Sequence, residues 1–146
     1  MKIGYDREKS ESYGEKYGAV ILAAGLSSRM KAFKPLLPVA GSTAVEGLIE
    51  SARAAGISDI TVVSGHNREE LEAVLKTADV NIAYNPDYET GMLSSIKTGL
   101  RAASASGKEG YLLMPVDCPL ISVRVMREIM GQEVGQGVGG GVWRGA

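Results

Sequence analysis

Short apolar runs that alternate with amphipathic, helix-length segments constrain the fold of this 146-residue chain most. Residues 19–23, 59–64, 80–84 and 110–116 read as strands. Between them, 43–55 reads as a helix with Val45, Leu48, Ile49 and Ala52 on one face and Gly56 as its stop. Asn67 and Glu70 have capping-box spacing and open a second helix to about Lys76, with Leu71, Val74 and Leu75 apolar. A third helix is expected over 91–104 with Leu93, Ile96, Leu100 and Ala103 inward. Ser122 opens a last one to about Met130. Strand–helix alternation of this kind implies an α/β fold, a mainly parallel sheet with helices on both faces. Ligands of such sheets bind beyond the carboxyl ends of the strands, where strand order reverses.

The loop after the first strand carries the chemistry. Leu22-Ala23-Ala24-Gly25-Leu26-Ser27-Ser28-Arg29-Met30-Lys31-Ala32-Phe33-Lys34 combines a small-residue turn with two hydroxyls and nearby cations. Backbone N–H groups in such a loop face an anion, and Arg29 and Lys34 supply opposing charge. A polyphosphate is the simplest ligand. Met30 stands where a P-loop needs its second glycine. Ser27 and Met30 stand where the dinucleotide fingerprint needs glycines. Both motifs are therefore excluded. Gly25, Leu26, Ser27 and Ser28 would cradle such an anion by N–H and hydroxyl contacts, with Arg29 and Lys34 as its counter-charges. Pro35 favours an extended Lys34.

The pattern L-A-A-G-x-S-S-R-M-x-x-x-K resembles the nucleotidyltransferases that load nucleotides onto molybdenum cofactor, and their relatives that make nucleotide sugars. Ala24 before the glycine, and the Leu26–Met30 run, look more like the cytidylyltransferase branch; the guanylyltransferase branch usually has a second glycine at Ala24. Lys31 departs from the glycine usual in the family. The resemblance implies a Rossmann-like three-layer sandwich with the first and fourth strands adjacent. It implies transfer of a nucleoside monophosphate, CMP from CTP, to a phosphorylated acceptor such as molybdopterin cofactor, with release of pyrophosphate. A molybdoenzyme that receives the cofactor is a further partner it implies. The alternatives are a sugar- or polyol-phosphate nucleotidyltransferase and a non-catalytic nucleotide-binding remnant.

Asp117 ends the fourth strand in Met114-Pro115-Val116-Asp117-Cys118-Pro119. An acid at the end of an apolar strand is costly without a cation or donors. It either holds a metal or caps the next turn. The resemblance makes it a ligand of magnesium, a hard cation that takes oxygen donors. Asn85-Pro86-Asp87-Tyr88-Glu89-Thr90-Gly91-Met92-Leu93-Ser94-Ser95 resembles the family's N-x-x-x-x-x-G-M-x-x-S segment. Gly91, Ser94 and Ser95 would offer N–H and hydroxyl groups to base or ribose at a helix start, or else Thr90 caps that helix and Ser95 packs. Gly65 would let the nucleotide approach closely. The methionines read as core filling, Asp87 as a turn residue, and Cys118 as a small buried residue. One histidine, His66, makes a triad or a histidine metal site implausible.

A net charge of −1 with mixed signs suggests neither a nucleic-acid nor a membrane surface, and 5% aromatics leave little for base stacking. A single cysteine excludes a disulfide framework. A cytoplasmic location is the expectation. Residues 1–18 read as a flexible polar arm, 19–130 as the transferase domain, and 131–146, with seven glycines, as a disordered tail. The resemblance stops near residue 130, which implies that the C-terminal part of the family fold, and with it a second metal-binding acid, is missing here.

Overall fold

The computed structural model describes residues 15–25, 38–39, 42–116 and 142–143. Strand β1 (Tyr17–Leu22) is the centre of the sheet. A small hairpin of β2 (Pro38–Val39) and β3 (Ser42–Thr43) precedes helix α1 (Ala44–Ala54). Then come β4 (Ile60–Ser64), α2 (Arg68–Leu75), β5 (Asn81–Tyr84), α3 (Met92–Ala103), β6 (Gly110–Pro115) and β7 (Val142–Trp143). The sheet order is β5-β4-β1-β6-β7. Strands β5, β4, β1 and β6 are parallel, and β7 is antiparallel to β6. After β1 the chain builds outward through β4 and β5, then crosses back to lay β6 on the other side of β1. The first and fourth apolar runs are thus neighbours, with Leu22 paired to Pro115.

Alternation along β1 explains the layers. Ala19, Ile21 and Ala23 face one side, where Val45, Leu48, Ile49 and Ala52 of α1 and Leu71 and Leu75 of α2 complete a core. Val20, Leu22 and Ala24 face the other, with Val63, Tyr111 and the α3 side of the sheet. A strand buried on both faces must be apolar throughout, as Ala19–Leu22 is. Thr43 caps α1: its Oγ1 accepts from the Glu46 N–H at 3.3 Å and donates to Glu46 Oε1 at 2.7 Å.

Several expectations are corrected. The first strand begins at Tyr17, two residues inside the stretch read as a polar arm, because Tyr17 and Gly18 pair with Gly110 and Tyr111. Asn67 precedes α2 in the left-handed conformation (φ 54°) and makes no side-chain cap, so it is not half of a capping box; its short polar side chain tolerates that backbone. Val74 is half-buried, unlike the buried Leu71 and Leu75. Leu93 is 62% exposed rather than inward, and Met92 is 56% exposed rather than core filling. The buried stripe of α3 is Ser95, Gly99 and Ala103. Small residues face the sheet because the helix lies so close: a Cβ on Gly99 would stand 2.5 Å from Val20 Cγ1. Of 131–146, Val142–Trp143 are described, and they pair with Tyr111 and Leu112. The helix expected at Ser122–Met130 lies outside the described residues.

Candidate functional site

The site expected from the sequence lies at the carboxyl edge of the sheet, beside its central strand. Leu22, Ala23 and Ala24 leave β1 nearly buried, and Gly25 emerges exposed; among the described residues, its chain neighbours aside, no atom lies within 4 Å of where a Cβ would be. Three cross-links hold this exit. The Ala23 N–H donates to the Val63 carbonyl at 3.0 Å, the Val116 N–H to the Leu22 carbonyl at 3.2 Å, and the His66 N–H to the Ala24 carbonyl at 3.3 Å. The ends of β1, β4 and β6 are therefore tied together at the point where strand order reverses, the usual place for a ligand in such a sheet.

Gly65 joins this cluster for a different reason from the one expected. A Cβ there would stand 2.7 Å from Tyr88 Cβ and 2.8 Å from Ala24 Cβ. The space left by the missing side chain is occupied by the protein's own residues, which accounts for the glycine by packing. His66 sits beside Tyr88, with ring centroids 6.0 Å apart and planes tilted by 48°.

The second rim is organised by Asn85, which is 1% exposed. Its Nδ2 donates to Ser94 Oγ and Ser95 Oγ, both at 2.9 Å, and its Oδ1 accepts from the Asp87 N–H at 2.9 Å. Ser94 Oγ also donates, toward the Gly91 carbonyl at 2.7 Å and the Asp87 carbonyl at 3.0 Å. The serine hydroxyls expected to meet base or ribose are thus engaged in holding the β5–α3 connection. Asp87 is the turn residue expected. Thr90 does not cap α3: its hydroxyl donates to the Asp87 carbonyl at 2.7 Å, and the N-cap is Gly91, with φ of 118°. That backbone conformation is one that glycine adopts readily.

Among the expected site residues, the structure brings together Leu22, Ala23, Ala24, Gly25 and Gly65 at one edge, and Gly91, Ser94 and Ser95 around Asn85. Leu26, Ser27, Ser28, Arg29, Lys34, Asp117 and Cys118 lie outside the described residues. Asn85 and Tyr88 are the organising residues that sequence reasoning passed over. An asparagine directly after a strand and nine residues before a serine pair was the signal for the first. Among the described residues, no group of three acidic, histidine or cysteine side chains is placed to hold a metal. No helix among them is long and apolar enough to cross a membrane.

Comparison with known proteins agrees with this geometry. A family model described as the MobA-like NTP transferase domain matches residues 19–140. The molybdenum cofactor cytidylyltransferase of Escherichia coli (strain K12) is 34% identical over 111 residues, which cover 75% of this chain and 56% of that protein. The bifunctional protein GlmU of Sinorhizobium medicae (strain WSM419) is 35% identical over 106 residues, 71% of this chain and 23% of that one. Among solved structures, a nucleotidyl transferase from Methanothermobacter thermautotroptrophicus superposes with a TM-score of 0.72 at 31% identity, covering 80% of this chain and 57% of its own. This chain spans little more than half the length of the first relative and less than a quarter of the second.

Proposed function

This chain belongs to the MobA-like NTP transferase family, and from that premise we propose that it transfers a nucleoside monophosphate, CMP from CTP, to a phosphorylated acceptor of the molybdopterin cofactor type. An acceptor phosphate oxygen attacks the α-phosphorus. The new P–O bond forms as the bond to the β-phosphate oxygen breaks, and pyrophosphate leaves. Such chemistry needs positioning and charge neutralisation more than a side-chain nucleophile. Arg29 meets the departing β- and γ-phosphates, and Lys34 steadies charge at the α-phosphate. Asp117, next after Val116, is the residue we assign to magnesium, which when bound neutralises phosphate charge. A molybdoenzyme is the partner that would take the product, and a cytoplasmic location fits that role.

The observation that carries this reading is the exit of Leu22–Gly25 from the central strand, open at Gly25 and tied to the ends of β4 and β6. The cytidylyl choice is supported by Ala24, whose Cβ packs against Gly65, and by the named relative from Escherichia coli. Calorimetric titration of the 146-residue chain with magnesium-CTP and magnesium-GTP tests it. Tighter CTP binding is expected. Tighter GTP binding would overturn the cytidylyl assignment, and a folded chain that binds neither would overturn the nucleotide site.

A further inference from the structure

Among the described residues, β5 is the outer strand of the sheet, paired to β4 on one side and to no strand on the other. The Asn85 N–H donates to the Ser64 carbonyl at 2.7 Å, so Asn85 turns its backbone groups toward β4. That direction alternates along a strand. Ala83 therefore shares it, and the N–H and C=O groups of Ile82 and Tyr84 point away from the sheet. Edge strands are commonly guarded by charges or proline. Asn81–Tyr84 carries neither, and its Ile82 and Tyr84 are 39% and 38% exposed. A fixed cation stands beside this open edge. The Arg68 guanidinium lies 4.1 Å from the centre of the Tyr84 ring. Its Nε donates to Glu72 Oε1 at 2.9 Å, and the same oxygen accepts from the buried Ser64 hydroxyl at 3.3 Å. Stacking sets the plane of the fork, and Glu72 sets its rotation within that plane. Among the described residues the hydrogen bonds of Arg68 run through Nε alone, which leaves its two Nη nitrogens for a second carboxylate.

We propose that the β5 edge takes an extended segment of a partner protein as an added strand, with an acidic residue of that segment on the Arg68 Nη groups and apolar residues beside Ile82 and Tyr84. Backbone bonds to Ile82 and Tyr84 supply attachment, and Arg68 supplies selection by charge. Ile82 and Tyr84 are two residues apart and share the face that Arg68 covers, so one acid in register with Tyr84 meets the fork. A second copy of this chain is a poorer occupant. Antiparallel pairing that uses both outward residues is centred on Ala83. It lays Asp79 of one copy opposite Asp87 of the other, each four residues from Ala83, and like charges so placed are destabilising. The strand it would offer, Asn81–Tyr84, also has no acid for Arg68. This surface lies apart from the exit of β1 and does not rest on the transferase reading.

A blocked hexapeptide, valine-threonine-glutamate-threonine-valine-threonine, titrated into the isotopically labelled 146-residue chain and followed by amide NMR, tests this. The same peptide with lysine in place of glutamate is the control. The glutamate peptide is expected to shift the Ile82 and Tyr84 amides and to bind with a Kd of about 1 mM or tighter, and the lysine peptide to bind about tenfold more weakly. Arg68→Gln is expected to erase that preference. Ile82→Pro removes an outward N–H and no bond to β4, and is expected to abolish binding of both peptides. Arg68 is half exposed, so Arg68→Gln should keep the fold in a thermal melt and carries the test even if proline loosens the edge. No binding by the parent chain, equal binding of the two peptides, or an unchanged preference in Arg68→Gln would overturn the proposal. Sedimentation of the parent as a dimer that Ile82→Pro converts to monomer would overturn the choice of occupant in favour of a second copy.

Discussion

Asn85 meets three partners with one buried amide, and an amide suits the position because it offers two donors and an acceptor in one plane. Asn85→Ala would strand the Asp87 N–H and remove the donor to two serine hydroxyls. Leaving buried polar groups unpaired costs about 1–3 kcal/mol. Urea unfolding should show a loss of that size in stability; a change below about 0.5 kcal/mol, the level of an ordinary surface substitution, would mean that water replaces the amide without cost. Gly65→Ala is a second test at this scale. Its new Cβ would fall within 3 Å of both Tyr88 and Ala24, where real Cβ atoms do not sit. Overpacking of that kind costs about 1–3 kcal/mol. Because Ala24 belongs to the loop exit, the same variant should also weaken magnesium-CTP binding in calorimetry. A stable variant with unchanged CTP affinity would separate Gly65 from both roles.

Helix α3 is seated by what it lacks. On propensity alone Gly99→Ala would stabilise a helix interior by about 1 kcal/mol. Here a Cβ would press on Val20 Cγ1 at 2.5 Å and Val63 Cγ2 at 2.8 Å, both fully buried in the sheet. Backing α3 away would open the packing around Ile96 and Leu100, so the clash outweighs propensity. The expected outcome is a net loss of about 1–3 kcal/mol in denaturant unfolding, and a stabilised variant would show that α3 can ride further out. The same contact explains where the sequence was legible and where it was not. Strand runs such as Ala19–Leu22 and Ile60–Val63 announce themselves because burial on both faces demands continuous apolar residues. The α1 face of Val45, Leu48, Ile49 and Ala52 is equally plain, since bulky residues at helical spacing fill a wide gap. In α3 the gap is narrow, so the contact stripe is Ser95, Gly99 and Ala103, and reading for bulk points to Leu93 instead. The spacing of Asn85 from the serine pair was visible in the sequence, but its bonds to both hydroxyls and to the Asp87 N–H depend on the turn geometry that brings them together.

At the scale of the whole molecule, the backbone ties at the exit of β1, among the described residues, come from strand ends rather than from helices. β1, β4 and β6 meet there through backbone bonds from Ala23, His66 and Val116. The place where the chain leaves the central strand, at Gly25 beside the reversal of strand order, is therefore legible from topology. The roles of Ser27, Ser28 and Arg29 were legible only through resemblance, because charge and hydroxyls on a loop do not specify which phosphate each meets. A ligand that binds the native chain and not the unfolded one raises the thermal midpoint by mass action, about 2.7 kcal/mol at a hundredfold excess over Kd. Magnesium-CTP should raise the midpoint of this chain accordingly. Arg29→Ala should remove charge-assisted bonds worth about 1–3 kcal/mol of binding, so its own midpoint should shift much less at the same nucleotide concentration. The comparison is made against each variant's own unliganded midpoint, which cancels any effect of the substitution on folding. An Arg29→Ala chain stabilised by magnesium-CTP as strongly as its parent would place the triphosphate away from this loop and leave the carboxyl edge of the sheet without its proposed anion.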